Sequence, residues 1–238
     1  MELTSTSNEK IKYLKKLKLK KYRDEEKLFL VEDEHLVEEA LKKGIVKEIL
    51  TTTKNKYPVD TYYVNDKIMK FLSDQVSSTK IIAVCHLLEE KEINGNLIIL
   101  DNLQDPGNLG TIIRSAVAFN FNTIILGSTC VDLYNPKVIR ASEGMIFHLN
   151  IVRRDLNTFI DEIKDKYTLI TTDVSNGKDI KELNKNNIAI VIGNEGRGVS
   201  PNISNKCDEK VYIKMNNKCE SLNASVCASI LMYEVNHE

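Results

Sequence analysis

The 238-residue chain has no tryptophan, only four prolines and only four histidines. Its five cysteines, Cys85, Cys130, Cys207, Cys219 and Cys227, contain no Cys-x-x-Cys pair. That spacing builds neither a zinc site nor a disulfide framework, so reduced, partly buried thiols are expected, and no metal. No histidine is near any of the polar loops described below, and no nucleophile-elbow motif occurs, which argues against a serine nucleophile. No apolar run is long enough to cross a bilayer. The chain starts polar and Lys-rich without an apolar signal-peptide core, so a cytoplasmic protein is expected. Net charge is only −1, which gives no overall attraction to nucleic acid. What is present is a 42% hydrophobic fraction, enough for a sizeable core.

The small net charge hides a local asymmetry. Lys10, Lys12, Lys15, Lys16, Lys18, Lys20, Lys21 and Arg23 follow one another with no acid between them. Such a run is either a solvated helix face or a phosphate-contacting element. Residues 1 to about 28 read as one basic helix, with Ile11, Leu14 and Leu17 as its buried stripe. Short strands at 28–31, 45–51, 62–64 and 81–85 and helices at 34–43 and 66–72 follow. They make a small mixed α/β unit, and the polar stretch 88–96 reads as a linker. From Leu97-Ile98-Ile99-Leu100 onward, apolar strands alternate with helices, which predicts a mainly parallel sheet with helices on both faces. In such sheets ligands bind outside the carboxyl ends of the strands.

Three polar segments fall at that edge and are expected to meet in one site. The first, Asp105 to Arg114, offers Asn108 as a helix cap and sets Gly110 and Arg114 on one helix face, four residues apart. The second, Gly193-Asn194-Glu195-Gly196-Arg197-Gly198, has the glycines for a tight turn and close backbone approach. It lacks the lysine of a phosphate-binding Walker loop and the spacing of the dinucleotide fingerprint. The third runs from Val211 through a turn at Asn216-Asn217-Lys218 to Glu220-Ser221-Leu222-Asn223, with Ser221 expected to cap an apolar final helix.

Together, Asn108-x-Gly110-x-x-x-Arg114, Gly193-Asn194-Glu195-Gly196 and Ile213-x-Met215 with Glu220-Ser221-Leu222-Asn223 resemble the three motifs of the SpoU (TrmH-like) RNA ribose 2′-O-methyltransferases. The likeness covers about residues 97–238. Asn135-Pro136-Lys137-Val138-Ile139-Arg140-Ala141-Ser142 also looks like the family. Residues 1–92, through Phe29-Leu30-Val31-Glu32 and His35 to Leu41, are similar to the family's ribosomal-protein-like RNA substrate-binding domain. Three positions depart from the pattern: Lys214 stands where the family has proline, and Asn217 and Asp33 stand where it has glycine.

The resemblance implies a trefoil-knotted C-terminal sheet, S-adenosylmethionine as cofactor, and a homodimer whose active site draws on both subunits. It implies cofactor contacts at Gly193, Asn194, Glu195, Gly196, Ile213, Met215, Ser221, Leu222 and Asn223. Catalytic roles fall to Arg114, Asn108, Glu195, Ser221 and Asn223, with Glu195 holding either Arg114 or a backbone amide. The sulfonium donor needs no metal. Given the family, the basic run Lys10–Arg23 together with Arg114 becomes the RNA contact. The implied substrate is ribosomal RNA, ahead of transfer RNA. The alternatives are transfer RNA as the substrate, or an RNA-binding protein of the same fold without methyl transfer.

Overall fold

The computed structural model describes residues 2–74, 79–172, 177–180 and 187–236. The chain divides into two compact units, residues 1–89 with 132–147, and 90–131 with 148–238.

The first unit carries β1 (Glu2–Leu3), α1 (Glu9–Lys16), α2 (Lys20–Glu26), β2 (Leu28–Glu32), α3 (Glu34–Lys43), β3 (Val46–Thr51), β4 (Asp60–Val64), α4 (Asp66–Leu72) and β5 (Ile81–His86). Its sheet runs β1-β4-β3-β5-β2, with β5 antiparallel to both its neighbours. The single helix expected over residues 1 to about 28 is in fact a short strand and two helices. Leu14 and Leu17 stay buried, but the chain turns at Leu19 because Leu17 ends α1 and the backbone at Leu19 is extended (φ −94°, ψ 132°). Helix α3 has the bounds its periodicity predicts and ends at Gly44 in the left-handed conformation (φ 74°). Asp33 precedes it at φ 90° and ψ 140°, a backbone region that suits glycine, and caps the helix by accepting from His35 N–H.

Residues 132–147, which the sequence reading places in the second domain, cluster with the first unit. They carry α6 (Pro136–Ala141) and a 3₁₀ turn, Met145–His148, whose last residue belongs to the second unit. Tyr134 stacks obliquely on Phe29 (ring centroids 4.6 Å apart) and accepts a hydrogen bond from Leu88 N–H at 2.9 Å. The buried Arg23 forms an ion pair with Asp132 and donates to the carbonyls of Leu17 (2.8 Å) and Lys18 (2.7 Å).

The second unit carries β6 (Leu97–Leu100), α5 (Pro106–Ala118), β7 (Thr123–Gly127), β8 (Asn150–Arg154), α7 (Leu156–Ile163), β9 (Thr168–Thr172), β10 (Ile188–Ile192), α8 (Pro201–Ser204), β11 (Glu209–Val211) and α9 (Ala224–Asn236). The sheet order is β11-β9-β10-β6-β7-β8, and every described pairing is parallel. Strands β6, β7 and β10 are buried along their whole length, and β6 and β10 are apolar throughout. Alternate residues serve opposite faces. Leu97, Ile99, Ile125 and Val191 pack with Phe159, Ile160 and Ile203 of α7 and α8. Helices α5 and α9 pack against each other, and Ser115 and Ser229 join them at 2.7 Å.

Candidate active site

Because the strands are parallel, the segments following β6, β10 and β11 leave from one edge of the sheet. The first two are sewn together directly. Asp101 N–H donates to the Ile192 carbonyl (2.8 Å), the Asp101 carboxylate accepts from Ser200 N–H (2.7 Å), and the Asn194 amide donates to the Asn102 carbonyl (3.0 Å).

The loop after β10 closes on itself. Asn194 and Gly198 exchange backbone hydrogen bonds, each 2.9 Å, and Asn194 Oδ1 accepts from Gly196 N–H (3.0 Å) and Arg197 N–H (3.2 Å). Asn194 thus spends its side chain on shaping the loop. Gly193 has no alternative residue: a Cβ there would lie 2.0 Å from the carbonyl carbon of Gly198.

One chain of hydrogen bonds joins all three polar segments. The Asn108 amide donates to Glu195 Oε1 at 3.0 Å, and Asn108 Oδ1 accepts from the Asn223 amide at 2.9 Å. Asn223 Oδ1 then accepts from Ser225 N–H (2.9 Å), Val226 N–H (3.4 Å) and the Ser225 hydroxyl (2.7 Å). The polarity of this chain follows from its first member. A carboxylate only accepts, so Asn108 must offer its NH2 to Glu195 and its oxygen to Asn223. Glu195 also accepts from Asp105 N–H at 3.2 Å. Burial pushes its carboxyl upward, but the donors, led by Asn108, outweigh this and hold it below the ordinary carboxylate range.

Two capping expectations are corrected. Asn108 does not cap α5; Asp105 does, accepting from Asn108 N–H at 2.8 Å, with Pro106 in the first turn. That frees the Asn108 side chain, but both its ends are taken, and the residue is 8% exposed. Ser221 does not cap α9; Asn223 does, and the helix starts at Ala224. The last strand likewise stops at Val211, before Ile213. Ile213 to Leu222 is therefore free of regular structure, and part of it forms a cavity wall.

That cavity, of about 450 Å³, opens beside the Gly193–Gly198 loop. Of the residues singled out in the sequence, Gly193, Asn194, Glu195, Gly196, Ile213, Met215, Ser221 and Leu222 line it, whereas Asn223, Asn108 and Arg114 do not. Thr172, Val199, Ser204 and Cys227 also line it and were missed. Thr172 ends β9, so the rule that parallel strands deliver ligands to their carboxyl ends pointed to it. Cys227 is one turn into α9; burial pushes its thiol up to about 11. Lys214 is exposed and does not line the cavity, and Asn217 does not take the left-handed conformation that its glycine-like position suggested.

Arg114 is exposed on α5, and among the described residues it has no hydrogen-bond or ion-pair partner. The basic run near the chain start is less free. Besides the buried Arg23, which no RNA phosphate can reach, Lys10 binds Glu48 (2.6 Å), Lys18 binds Asp74 (2.5 Å) and Lys15 donates to the Phe71 carbonyl. Lys12 and Lys20 are exposed but paired with Glu9 and Asp24 on their own helices. Lys16 and Lys21 are exposed and flank the Tyr22 ring.

Residues 95–233 match the model of the SpoU rRNA methylase family, and residues 8–83 match that of the MRM3-like substrate-binding domain. The chain is 38% identical to the 23S rRNA (guanosine(2553)-2′-O)-methyltransferase RlmP of Bacillus subtilis, over 98% of each chain. A solved RNA 2′-O ribose methyltransferase is 30% identical, with a TM-score of 0.84 over 99% of this chain and 98% of that one. An rRNA methyltransferase from Sinorhizobium meliloti, 24% identical, shares the fold at a TM-score of 0.90 over 99% of this chain and 96% of that one.

Proposed function

The chain belongs to the SpoU rRNA methylase family, and from that premise we propose that it methylates a ribose 2′-hydroxyl of ribosomal RNA with S-adenosylmethionine as donor. The observation that carries the proposal is the Glu195–Asn108–Asn223 hydrogen-bond chain, which ties the first polar segment to the other two, whose residues wall the cavity. The relative from Bacillus subtilis directs attention first to 23S rRNA; transfer RNA is the second substrate to try.

The cavity suits the cofactor. Its volume is within the range of small-molecule sites, it offers apolar walls at Ile192, Ile213 and Leu222, and the Gly193 loop exposes backbone in place of side chains. Bound S-adenosylmethionine supplies a methyl group on a sulfonium, an electrophile that is already activated. The chain's own residues do the rest. The acceptor hydroxyl must lose its proton as the O–CH3 bond forms, and that proton passes to solvent. Guanidinium is always protonated, with a pKa above ~12, so Arg114 acts by charge. It binds the neighbouring phosphate and stabilises the developing alkoxide, for which its lack of a partner among the described residues leaves it available. Ser221 orients the ribose. Glu195, Asn108 and Asn223 fix the loops around it and are positioning residues.

The active form is a homodimer, with a trefoil knot in the second unit. Support for the dimer is the pair Val226 and Tyr233, two turns apart on α9 and each 45% exposed. The reaction belongs to the cytoplasm.

Calorimetric titration with S-adenosylmethionine and with its demethylated product tests the first step. One saturable site per chain is expected, followed by tritium transfer from labelled donor to unmodified 23S rRNA. A folded protein that binds neither compound would instead be an RNA-binding protein of this fold.

A further inference from the structure

The first unit has a cavity of its own, about 290 Å³, where the carboxyl ends of β2 and β3 meet the start of β5. Asp33 and Glu34 stand on one side, Thr51, Thr53 and Tyr57 on another, and Thr79, Lys80 and Ile81 close it. Its hydroxyls are mostly spent on the fold: Thr51 donates to the Lys80 carbonyl (3.1 Å) and Thr79 to the Ile81 carbonyl (2.9 Å). Three side chains with strong recognition chemistry remain. Among the described residues none gives Glu34, Tyr57 or Lys80 a side-chain hydrogen bond or an ion pair. Tyr57 is half-buried, whereas Glu34 and Lys80 are exposed. The stretch leading to Tyr57 is Lys54-Asn55-Lys56, and both lysines are exposed and, among the described residues, unpaired.

A tyrosine ring, a lysine and a carboxylate lining one cavity, with two more lysines in the stretch that leads to the tyrosine, match one ligand chemistry. A ring gives a face on which any base can stack, lysines neutralise the backbone, and a carboxylate accepts from amino and imino donors on a base edge. The cavity has room for one nucleoside rather than for a helix. The basic run of α1 and α2, by contrast, keeps few cations unspent.

We propose that this cavity in the first unit receives one unpaired nucleotide of the RNA substrate, stacked on Tyr57, with its phosphates beside Lys54, Lys56 and Lys80 and its base edge read by Glu34. Guanine suits the carboxylate best, because it presents two adjacent N–H donors. The site is separate from the methyl-transfer cavity and holds the RNA by a nucleotide other than the one methylated. The inference rests on reading the chain as an RNA methyltransferase.

The test compares full-length Tyr57→Ala, Tyr57→Phe, Lys80→Ala and Glu34→Gln proteins with the wild type, on an unmodified 23S rRNA transcript. Filter binding gives Kd, and methyl transfer gives kcat and KM. Tyr57→Ala is expected to raise Kd and KM for RNA about tenfold, within the effect of losing one base–aromatic stack. Its kcat at saturating RNA and its S-adenosylmethionine affinity should not change. Tyr57→Phe keeps the ring and should remain within about twofold of wild type. Lys80→Ala should lower the slope of log Kd against log salt by about one, and Glu34→Gln should weaken binding with no change in that slope. Should Tyr57→Ala not fold, Lys80→Ala and Glu34→Gln decide. Unchanged RNA affinity and KM in all the folded variants, with an active wild type, overturns this inference alone. A wild type that neither binds nor methylates RNA overturns the methyltransferase reading and this inference with it.

Discussion

Asp33 stores backbone strain that a single substitution should release. At φ 90° and ψ 140° a non-glycine residue is strained by about 1–3 kcal/mol. Replacing it with glycine removes that strain. Two losses offset the gain: the cap to His35 N–H, worth a few tenths of a kcal/mol against glycine, and the extra freedom glycine gives the unfolded chain, about 0.4–1 kcal/mol. The balance favours Asp33→Gly by about 1 kcal/mol, equivalent to about 4–8 °C in the melting temperature of a unit this size. Asp33→Ala keeps the strain and loses the cap, so it should be less stable than wild type by about 1 kcal/mol. Hydrogen–deuterium exchange at the β2 and α3 amides reads the first unit by itself. A Gly variant that exchanges faster than wild type, or as fast as the Ala variant, would refute the strained geometry.

The other predictions concern the second unit. Gly193→Ala has no room for its methyl group, so S-adenosylmethionine affinity should fall at least a hundredfold by calorimetry; a loss under tenfold would refute a role for the close Gly193–Gly198 approach in shaping the cavity. Arg114→Ala should reduce methyl transfer to background while cofactor binding stays intact, and loss of both would reject a role confined to the RNA. Glu195 has a depressed carboxyl pKa, so its contribution is complete above the ordinary carboxylate range and is lost only as pH falls below it. Cofactor affinity should therefore be level from pH 8 to about pH 5 through this group, and Glu195→Gln should weaken binding across that window. Cys227, with its thiol pushed up to about 11, should resist iodoacetamide at pH 8; rapid alkylation would refute the raised thiol pKa.

Much of this protein can be read from residue order alone. The apolar runs at Leu97–Leu100 and Ile188–Ile192 identify buried parallel strands, and the 34–43 periodicity with Gly44 gives both ends of α3. The three polar segments could be assigned to one edge because parallel strands point one way. Periodicity and turn chemistry are local, and local rules settle which face of an element is buried.

Tertiary structure decided which polar atom meets which. Asn108 looked like a cap, but its partners Glu195 and Asn223 are 87 and 115 residues away, and Asp105 had already satisfied the helix end. Arg23 looked like one more exposed cation until Asp132, 109 residues on, drew it into the first unit. The segment 132–147 joined that unit for reasons its own sequence does not carry, through Phe29, Leu88 and Arg23. A polar side chain's role is set by the donors and acceptors near it, and for these residues the fold brings them from remote parts of the chain.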